Sequence, residues 1–372
     1  MSKNIDTSIM LSPIMKAVGQ SCNLRCKYCF YNGNQDQMLD VMNFETLRTI
    51  TRKLLSVSGS NIHFIWHGGE PLLAGINFYK KAVELQNEYK SNNQNIRNGI
   101  QTNGTLLSTD WADFFKANNF GVGVSLDGPE FIHNRLRTYK SGEGSFQQTM
   151  RGINIMREQG IQVSCIAVIT SNSVSYPEQI FNFFYNEGIC FSASQCTADE
   201  YNKSISKDLA VDPFDYATFL LRLLDLWLET GDPNFKIGPI DDFIHAIMGQ
   251  KPKSCIFNGH CEHFVTIDTN GDLYPCNHYR NEEHLWGNLL KSDYNMIIDN
   301  SNYSEYLLDY KKTLITCEGC KWIGVCRGWC RKTWGSRVIE SNDKHPNCRA
   351  ISALFEGITE RLIQLGYEPN IK

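Results

Sequence analysis

The sequence lacks any long apolar run and any strong excess of charge of one sign. No stretch of about 18 consecutive apolar residues occurs, so a membrane-spanning helix is not expected. The N-terminus has no cationic start followed by an apolar segment, so no export signal is expected. The 36 basic and 40 acidic residues leave a net charge of −4, which argues against nucleic-acid and membrane partners. The sequence therefore predicts a cytoplasmic protein.

What the sequence does contain is cysteine, 14 of its 372 residues. Disulfides are disfavoured in the cytoplasm, so metal or iron–sulfur ligation is the better explanation. Three of these residues, Cys22, Cys26 and Cys29, lie in CNLRCKYCFY. A structural zinc site takes four protein ligands, whereas a four-iron, four-sulfur cluster held by three cysteines leaves one iron open. A zinc site with a distant fourth ligand is the alternative.

Short apolar segments alternate with helix-length segments through the first half of the chain. They form about six strand–helix units, which predicts an α/β fold with a parallel sheet, a partial (β/α)6 TIM-like barrel. Ligands gather where the strands of such sheets end, and here those ends carry the cysteine loop, HGGEP, QTNG and SLDGP. The strand segments are 13–20, 62–69, 97–104, 119–129, 161–172 and 188–195.

The pattern changes after residue 210. The segment 211–231 reads as a long helix, with Asp212 as N-cap, Pro213 in the first turn and Gly231 as terminator. From Cys255 onward the chain is rich in cysteine and loops, as expected for a domain held together by metal. We therefore predict a barrel over 1–210, bridging helices over 211–250 and a cysteine-rich domain with a C-terminal helix over 251–372.

The CxxxCxxC loop after the first strand resembles the signature of the radical S-adenosylmethionine (SAM) superfamily. The resemblance implies that the open iron binds the amino and carboxylate groups of SAM. It also implies reductive cleavage of SAM to methionine and a 5′-deoxyadenosyl radical, which abstracts a hydrogen atom from the substrate. SAM and one four-iron, four-sulfur cluster are the cofactors implied for this loop.

HGGEP at the second strand end resembles the site for the amino group of SAM. Gly68 and Gly69 let a backbone approach a ligand closely, and the Glu70 carboxylate can pair with an ammonium. A glycine turn with a solvated Glu is the structural alternative. The resemblance also matches Tyr28 to an adenine contact and Ser125 and Arg137 to ribose and carboxylate contacts. Their alternatives are packing, a strand cap and a surface charge. Softer candidates are Thr102, Asn103 and, by register on the last barrel strand, Ala198.

The C-terminal cysteines resemble the SPASM extension of radical SAM enzymes that modify peptides and proteins. Eight thiols suffice for two further four-iron, four-sulfur clusters, three in all. Two zinc sites with four cysteines each are the alternative. Cys165, in an apolar strand, is most simply a buried small hydrophobe. The resemblance assigns Cys255, Cys261, Cys276 and Cys330 to the first auxiliary cluster and Cys317, Cys320, Cys326 and Cys348 to the second.

Across nearly its whole length the chain is similar to anaerobic sulfatase-maturating enzymes, through CNLRCKYCFY, GGEP, QTNGTL, SLDGP and GDLYPC. Those enzymes oxidise a Cys or Ser of a sulfatase to formylglycine, with an Asp after the third SPASM cysteine as base. Here that position is Asn277, and a neutral amide is no comparable base, although it can position a substrate by hydrogen bonding. His278 is basic, but strand alternation is expected to direct it away. Tyr31 completes the catalytic candidates.

The favoured function is radical modification of a polypeptide, specifically the maturation of a ribosomally made peptide by crosslinking or another change at a C–H bond. Sulfatase maturation is the alternative, followed by small-molecule or quinohaem-type maturation. A non-enzymatic metal-binding scaffold is the alternative of another class. The implied partners are the polypeptide and a reducing donor such as flavodoxin or ferredoxin. The first strand begins near residue 13, so no leader-binding domain is expected before it.

Overall fold

The computed structural model of the protein describes residues 11–31, 39–198, 207–257, 261, 264–315, 317–330, 332 and 346–371. The strands are β1 (Ser12–Met15), β2 (Asn61–Trp66), β3 (Asn95–Thr102), β4 (Phe120–Ser125), β5 (Val163–Ile169), β6 (Phe191–Gln195), β7 (Ile237–Gly238), β8 (Phe264–Ile267), β9 (Asp272–Tyr274) and β10 (Gly287–Asn288). The helices are α1 (Phe44–Val57), α2 (Ile76–Tyr89), α3 (Thr109–Ala117), α4 (Glu130–Leu136), α5 (Phe146–Glu158), α6 (Pro177–Asn186), α7 (Pro213–Thr230), α8 (Ile240–Ile247), α9 (Tyr294–Ile298), α10 (Ser301–Ile315), α11 (Ile323–Cys326) and α12 (Pro346–Gln364).

Strands β1 to β6 each overlap one of the six segments in which the sequence predicts a strand, with β1, β2 and β3 beginning one or two residues earlier, and the long helix α7 is confirmed as well. Asp212 caps α7, because its side chain accepts a hydrogen bond of 2.8 Å from the backbone N–H of Phe214. Gly231 ends the helix in the left-handed conformation, at φ +63°. No helix among the described residues has the length and apolar character needed to cross a membrane.

The first of two compact units comprises Met1–Ser125, Arg137–Val163 and Cys261–Leu307. Strands β1, β2, β3 and β4 lie side by side in it, all parallel. On the other side of β1 lies β8, also parallel, with Ser12 opposite Phe264 and Met15 opposite Ile267. The strands β9 and β10 continue this edge in antiparallel fashion. A hairpin from late in the chain thus joins the unit that contains the cysteine loop.

Alternate residues of β2 are buried, which is the pattern of a strand packed on one face. Ile62, Phe64 and Trp66 are fully buried. The Trp66 ring packs edge-on against Phe78 and Tyr79 of α2, with ring centroids 5.7 and 5.3 Å away. Burying an aromatic side chain of this size stabilises the fold by about 2 kcal/mol, so this packing fixes the strand that ends at HGGEP.

The second unit comprises Leu126–Leu136, Ser164–His260 and Leu308–Lys372. Its strands β5, β6 and β7 are parallel. Helices α7 and α12 are joined by a two-pronged ion pair, in which the guanidinium of Arg361 lies 2.5 and 3.0 Å from the two oxygens of Asp225. The sequence-based division at residues 210 and 250 stays a prediction.

Candidate radical SAM site

The CxxxCxxC loop follows β1, and hydrogen bonds to its backbone carbonyls hold the three cysteines in place. The N–H of Cys29 donates to the carbonyl of Cys26 (3.0 Å), and the Arg25 guanidinium donates to the carbonyl of Cys22 (2.8 Å). Burial raises the pKa of the Cys22 thiol to about 12, and after it Glu70 and the thiols of Cys26 and Cys29 act in the same direction. The three cysteines lie in one short loop, tied together by these hydrogen bonds, and they fit the three-cysteine ligand set of a four-iron cluster.

Glu70 is fully buried and joins the ends of β2 and β3. One oxygen accepts hydrogen bonds from the Thr102 hydroxyl (2.7 Å) and the Leu72 N–H (3.0 Å), and the other accepts one from the Asn103 N–H (2.7 Å). The solvated-Glu alternative is therefore wrong. A carboxylate has about four acceptor positions, so one remains for the predicted ammonium of SAM. Burial raises the pKa of Glu70 to about 7, against the effect of these donors.

Gly68 and Gly69 both have positive φ, at +122° and +55°. A Cβ on Gly69 would overlap the carbonyl oxygen of Ser21, whose hydrogen bond from the Glu70 N–H (2.8 Å) ties HGGEP to the cysteine loop. A Cβ on Gly68 would overlap the side chain of Lys16. The glycines therefore allow the second strand end to lie against the cysteine loop.

Replacing Gly69 with alanine should lower the melting temperature of the apoprotein by several degrees and weaken SAM binding. The reason is that the added Cβ both strains a left-handed residue and pushes Ser21 away. Gly75→Ala is the matched control, since Gly75 has φ +78° and no atom within 4 Å of its added Cβ. Calorimetry on both variants measures the difference. Equal destabilisation by the two substitutions would show that the approach to Ser21 does not matter.

Tyr28 and Arg137, the predicted adenine and carboxylate contacts, lie together. The Arg137 guanidinium stacks 5.2 Å from the centre of the Tyr28 ring, and both side chains are more than nine-tenths buried. The surface-charge alternative for Arg137 is wrong. A guanidinium that stacks on an aromatic face is also suited to bind a carboxylate through its planar fork of donors, so the pair fits the cofactor role that the resemblance implies.

The other predicted SAM contacts differ from one another in burial and in the unit to which they belong. Thr102 and Asn103 are buried beside Glu70, and the Asn103 side chain donates to Asn23 in the cysteine loop (2.8 Å). Ser125 ends β4 and accepts a hydrogen bond from Gln101 (3.1 Å). Ala198 is exposed, follows β6 and belongs to the second unit. Their roles at SAM stay predictions.

A buried polar cluster lies between the cysteine loop and the hairpin that carries Cys276. Tyr31 donates a hydrogen bond of 2.7 Å to Asn277 Oδ1, and Lys16 Nζ donates to both Tyr31 Oη and Asn277 Oδ1. Tyr31 and Asn277 were predicted from the sequence, whereas Lys16 was not. Lys16 directly follows β1, and its only sequence signal is a cation at a barrel strand end.

Arg280 flanks this cluster and is itself held by Asp268. Its Nε donates to Asp268 (2.6 Å), and its guanidinium lies 5.9 Å from the centre of the Tyr31 ring. Burial, and after it the charge of Arg280, lower the pKa of Lys16 to about 7. Burial, and then Lys16, lower the pKa of the neighbouring His67 to about 3, so His67 is a neutral imidazole that sequence analysis also missed.

His278 diverges from Asn277, but the predicted reason is wrong. Residues Asn277–Tyr279 form a turn of 3-10 helix and not a strand, so successive side chains point about 120° apart. The His278 ring lies 5.5 Å from Phe30, while Asn277 contacts Lys16 and Tyr31.

The four cysteines predicted for the second auxiliary cluster lie close together in the second unit. Cys317 packs against Cys348. Burial, and after it the thiols of Cys348, Cys317 and Cys320, raise the pKa of Cys326 to about 12. This four-thiol neighbourhood fits a fully ligated cluster. Of the set predicted for the first auxiliary cluster, Cys261 and Cys276 belong to the first unit and Cys255 and Cys330 to the second, so that assignment stays a prediction.

Among the described residues, no three His, Cys, Asp or Glu side chains are arranged to hold one metal ion. The thiolates of a four-iron cluster surround a cube of eight atoms, so the cysteines that hold it do not converge on one point.

Comparisons with known proteins agree with this site. The radical SAM superfamily model matches residues 17–184, and the model of the SPASM iron–sulfur cluster-binding domain matches residues 255–321. The chain belongs to the radical SAM superfamily, in the SPASM-bearing group that includes the anaerobic sulfatase-maturating enzymes. It is therefore an enzyme, and the predicted α/β radical SAM fold with a C-terminal SPASM domain is confirmed.

Similar proteins extend over almost the whole chain. A cysteine-type anaerobic sulfatase-maturating enzyme of Clostridium novyi is 32% identical over 93% of this chain and 94% of its own. A serine-type enzyme of Bacteroides thetaiotaomicron is 32% identical over 88% and 84%. The structure of native anSMEcpe with bound AdoMet and Cp18Cys peptide is 29% identical, with a TM-score of 0.87 over 96% of this chain and 99% of that chain. SAM binding and iron–sulfur clusters follow for this family.

Proposed function

We propose that the protein matures a ribosomally made peptide by radical modification of a C–H bond. The observation that carries this proposal is Asn277. The resemblance places a carboxylate base at this position in sulfatase maturation, and here a neutral amide stands there with its oxygen engaged by Lys16 and Tyr31. An amide does not accept the proton of a thiol or hydroxyl near neutral pH, so a reaction that begins and ends at carbon fits this site better.

The residues of the cysteine loop and the neighbouring strand ends would form the cofactor site. Cys22, Cys26 and Cys29 would hold the cluster that, when bound, supplies reductive cleavage of SAM. Glu70 offers an acceptor to the SAM ammonium, and Arg137 offers donors to its carboxylate. Two auxiliary clusters, held by the eight C-terminal cysteines, bring the expected total to three. A low-potential donor such as flavodoxin or ferredoxin would supply the electron.

Sulfatase maturation is the second candidate, because the similarity to sulfatase-maturating enzymes covers about the whole of both chains. Residue identity near 30% supports a shared reaction class and leaves the target residue open. The two candidates differ in what the substrate gives up. Formylglycine formation removes a thiol or hydroxyl proton, whereas C–H crosslinking or epimerisation has no such requirement.

Anaerobic reconstitution tests the proposed function. The protein should bind about 12 irons, three clusters of four, and should release 5′-deoxyadenosine when given SAM and a reductant. Co-expression with small open reading frames that neighbour its gene should then yield a peptide whose mass has changed. A protein that binds zinc at Cys22, Cys26 and Cys29, or that leaves SAM intact, is not this enzyme.

Incubation with the Cp18Cys peptide separates the two candidates. On the favoured proposal the peptide keeps its cysteine, and on the alternative it gains formylglycine. Mass spectrometry reads the difference, with the Clostridium novyi relative run in parallel to show that the assay conditions work.

A further inference from the structure

The amide of Asn277 has a fixed orientation. Lys16 Nζ donates to Asn277 Oδ1, so the amide oxygen is the atom that faces Lys16. The Tyr31 hydroxyl donates to the same oxygen over 2.7 Å. Both acceptor positions of Oδ1 are thereby used by the protein, and among the described residues none accepts a hydrogen bond from Nδ2.

Lys16 is held in place from several sides. It is fully buried, and its side chain runs over Gly68, where a Cβ would overlap its last carbons and its nitrogen. Its backbone N–H donates to the carbonyl of Ile267 (2.9 Å) in the ladder between β1 and β8. The Lys16 side chain, which binds Asn277, therefore extends from a residue that is hydrogen-bonded to β8, the strand that precedes Cys276 in the chain.

We infer that Lys16 is a positioning residue, which turns the Nδ2 amide group of Asn277 toward the substrate and so selects a hydrogen-bond acceptor, such as a peptide carbonyl oxygen, at that place. The Asn277 amide itself offers no base to a thiol or hydroxyl that must lose its proton. This inference rests on the proposed function and narrows it: the modified residue of the peptide presents an acceptor to Asn277 and reacts at carbon.

Lys16 and Tyr31 should also donate hydrogen bonds to an aspartate at position 277. An aspartate there would accept the N–H of Lys16 and the O–H of Tyr31 on one oxygen and present the other to the substrate. That carboxylate accepts where the amide donates, so the preference for the substrate group should be inverted by one substitution of nearly equal size.

The Cp18Cys peptide serves as the probe for a donor-bearing target. Wild-type protein, reconstituted anaerobically, should release 5′-deoxyadenosine in its presence but leave the cysteine unoxidised. Asn277→Asp should form formylglycine at least about 100-fold faster than wild type, the usual contribution of a general base. Lys16→Met added to Asn277→Asp should lower kcat about 10-fold with little change in KM, because Lys16 is buried and positions the carboxylate without touching the peptide.

Lys16→Gln in the same background is the matched variant. It keeps an N–H donor at similar length and should restore most of the kcat that Lys16→Met loses, whereas a packing role alone would favour Met. Iron content and melting temperature establish that each variant is folded and loaded. The inference is overturned if wild type oxidises the peptide as fast as Asn277→Asp, if Asn277→Asp releases 5′-deoxyadenosine without oxidising it, or if the Met and Gln variants behave alike. Absence of 5′-deoxyadenosine from every sample overturns the proposed function together with the inference.

Discussion

Cys26→Ala should reduce 5′-deoxyadenosine formation to background and lower the bound iron from about 12 to about eight per chain. Cys26 is the middle cysteine of the CxxxCxxC loop and is 9% exposed. With only two thiolates left in the loop, the predicted SAM-binding cluster should be lost, whereas the two clusters predicted at the eight C-terminal cysteines should be retained. Iron analysis and chromatography of the nucleoside products measure the two effects.

Cys190→Ala is the control for this experiment. Cys190 lies outside the cysteine motifs, is half-buried, and accepts a hydrogen bond at sulfur from the Lys236 N–H (3.3 Å). Its replacement should leave both iron content and SAM cleavage unchanged. If Cys26→Ala retained full iron and activity while Cys190→Ala lost them, the assignment of the cluster loop would be wrong.

Glu70→Ala should lower the free energy of unfolding by about 4 kcal/mol. The substitution leaves three buried donors without acceptors, those of Leu72, Thr102 and Asn103, and each such loss costs about 1–3 kcal/mol. Glu84→Ala is the control. The side chain of Glu84 is 61% exposed and pairs with Lys81 on the surface, so its removal should change stability by less than about 0.5 kcal/mol. Denaturant unfolding of the apoprotein measures both.

The pH dependence of this effect follows from the raised pKa of Glu70. Its folded pKa, about 7, is above the ordinary value of 4.5, so the folded state holds the proton more tightly than the unfolded state. The stability that this contributes is complete below pH 4.5 and is lost as the pH rises through 7. Wild type should therefore lose stability relative to Glu70→Gln across that interval. Adding SAM should shrink the loss, because its ammonium favours the carboxylate; an unchanged profile with SAM would contradict the predicted pairing.

The parts of the fold that local patterns encode were predictable. Strands β1 to β6 follow from alternating and β-branched segments, and α7 follows from its cap, its first-turn proline and its terminal glycine. Glu70 was singled out because HGGEP lies at a strand end and resembles the site for the amino group of SAM. Its three hydrogen bonds were not, since they come from backbone and side-chain groups that meet only when β2 and β3 are neighbours.

What the sequence did not reveal depends on long-range pairing. Lys16 and Asn277 are 261 positions apart and meet because β8 adds to the edge of β1, a pairing that no local periodicity announces. Arg137 was equally open to interpretation as a surface charge until its stacking on Tyr28 placed it in the interior. The turn of 3-10 helix at His278 begins only a few residues after a short strand. The alternation of side chains expected for a strand therefore could not show where the strand ends and the turn begins.

The ladder between β1 and β8 has an evolutionary consequence. Four residue pairs join β1 to β8, and the last of them is Met15 with Ile267. This register fixes Lys16, which follows β1, relative to the segment that carries Asn277. A C-terminal segment exchanged between relatives would bring its own residue 277 to an unchanged lysine, provided that no insertion shifts the frame. Substrate preference can then change through the segment that carries residue 277, while the cysteine loop and the SAM-binding residues stay the same.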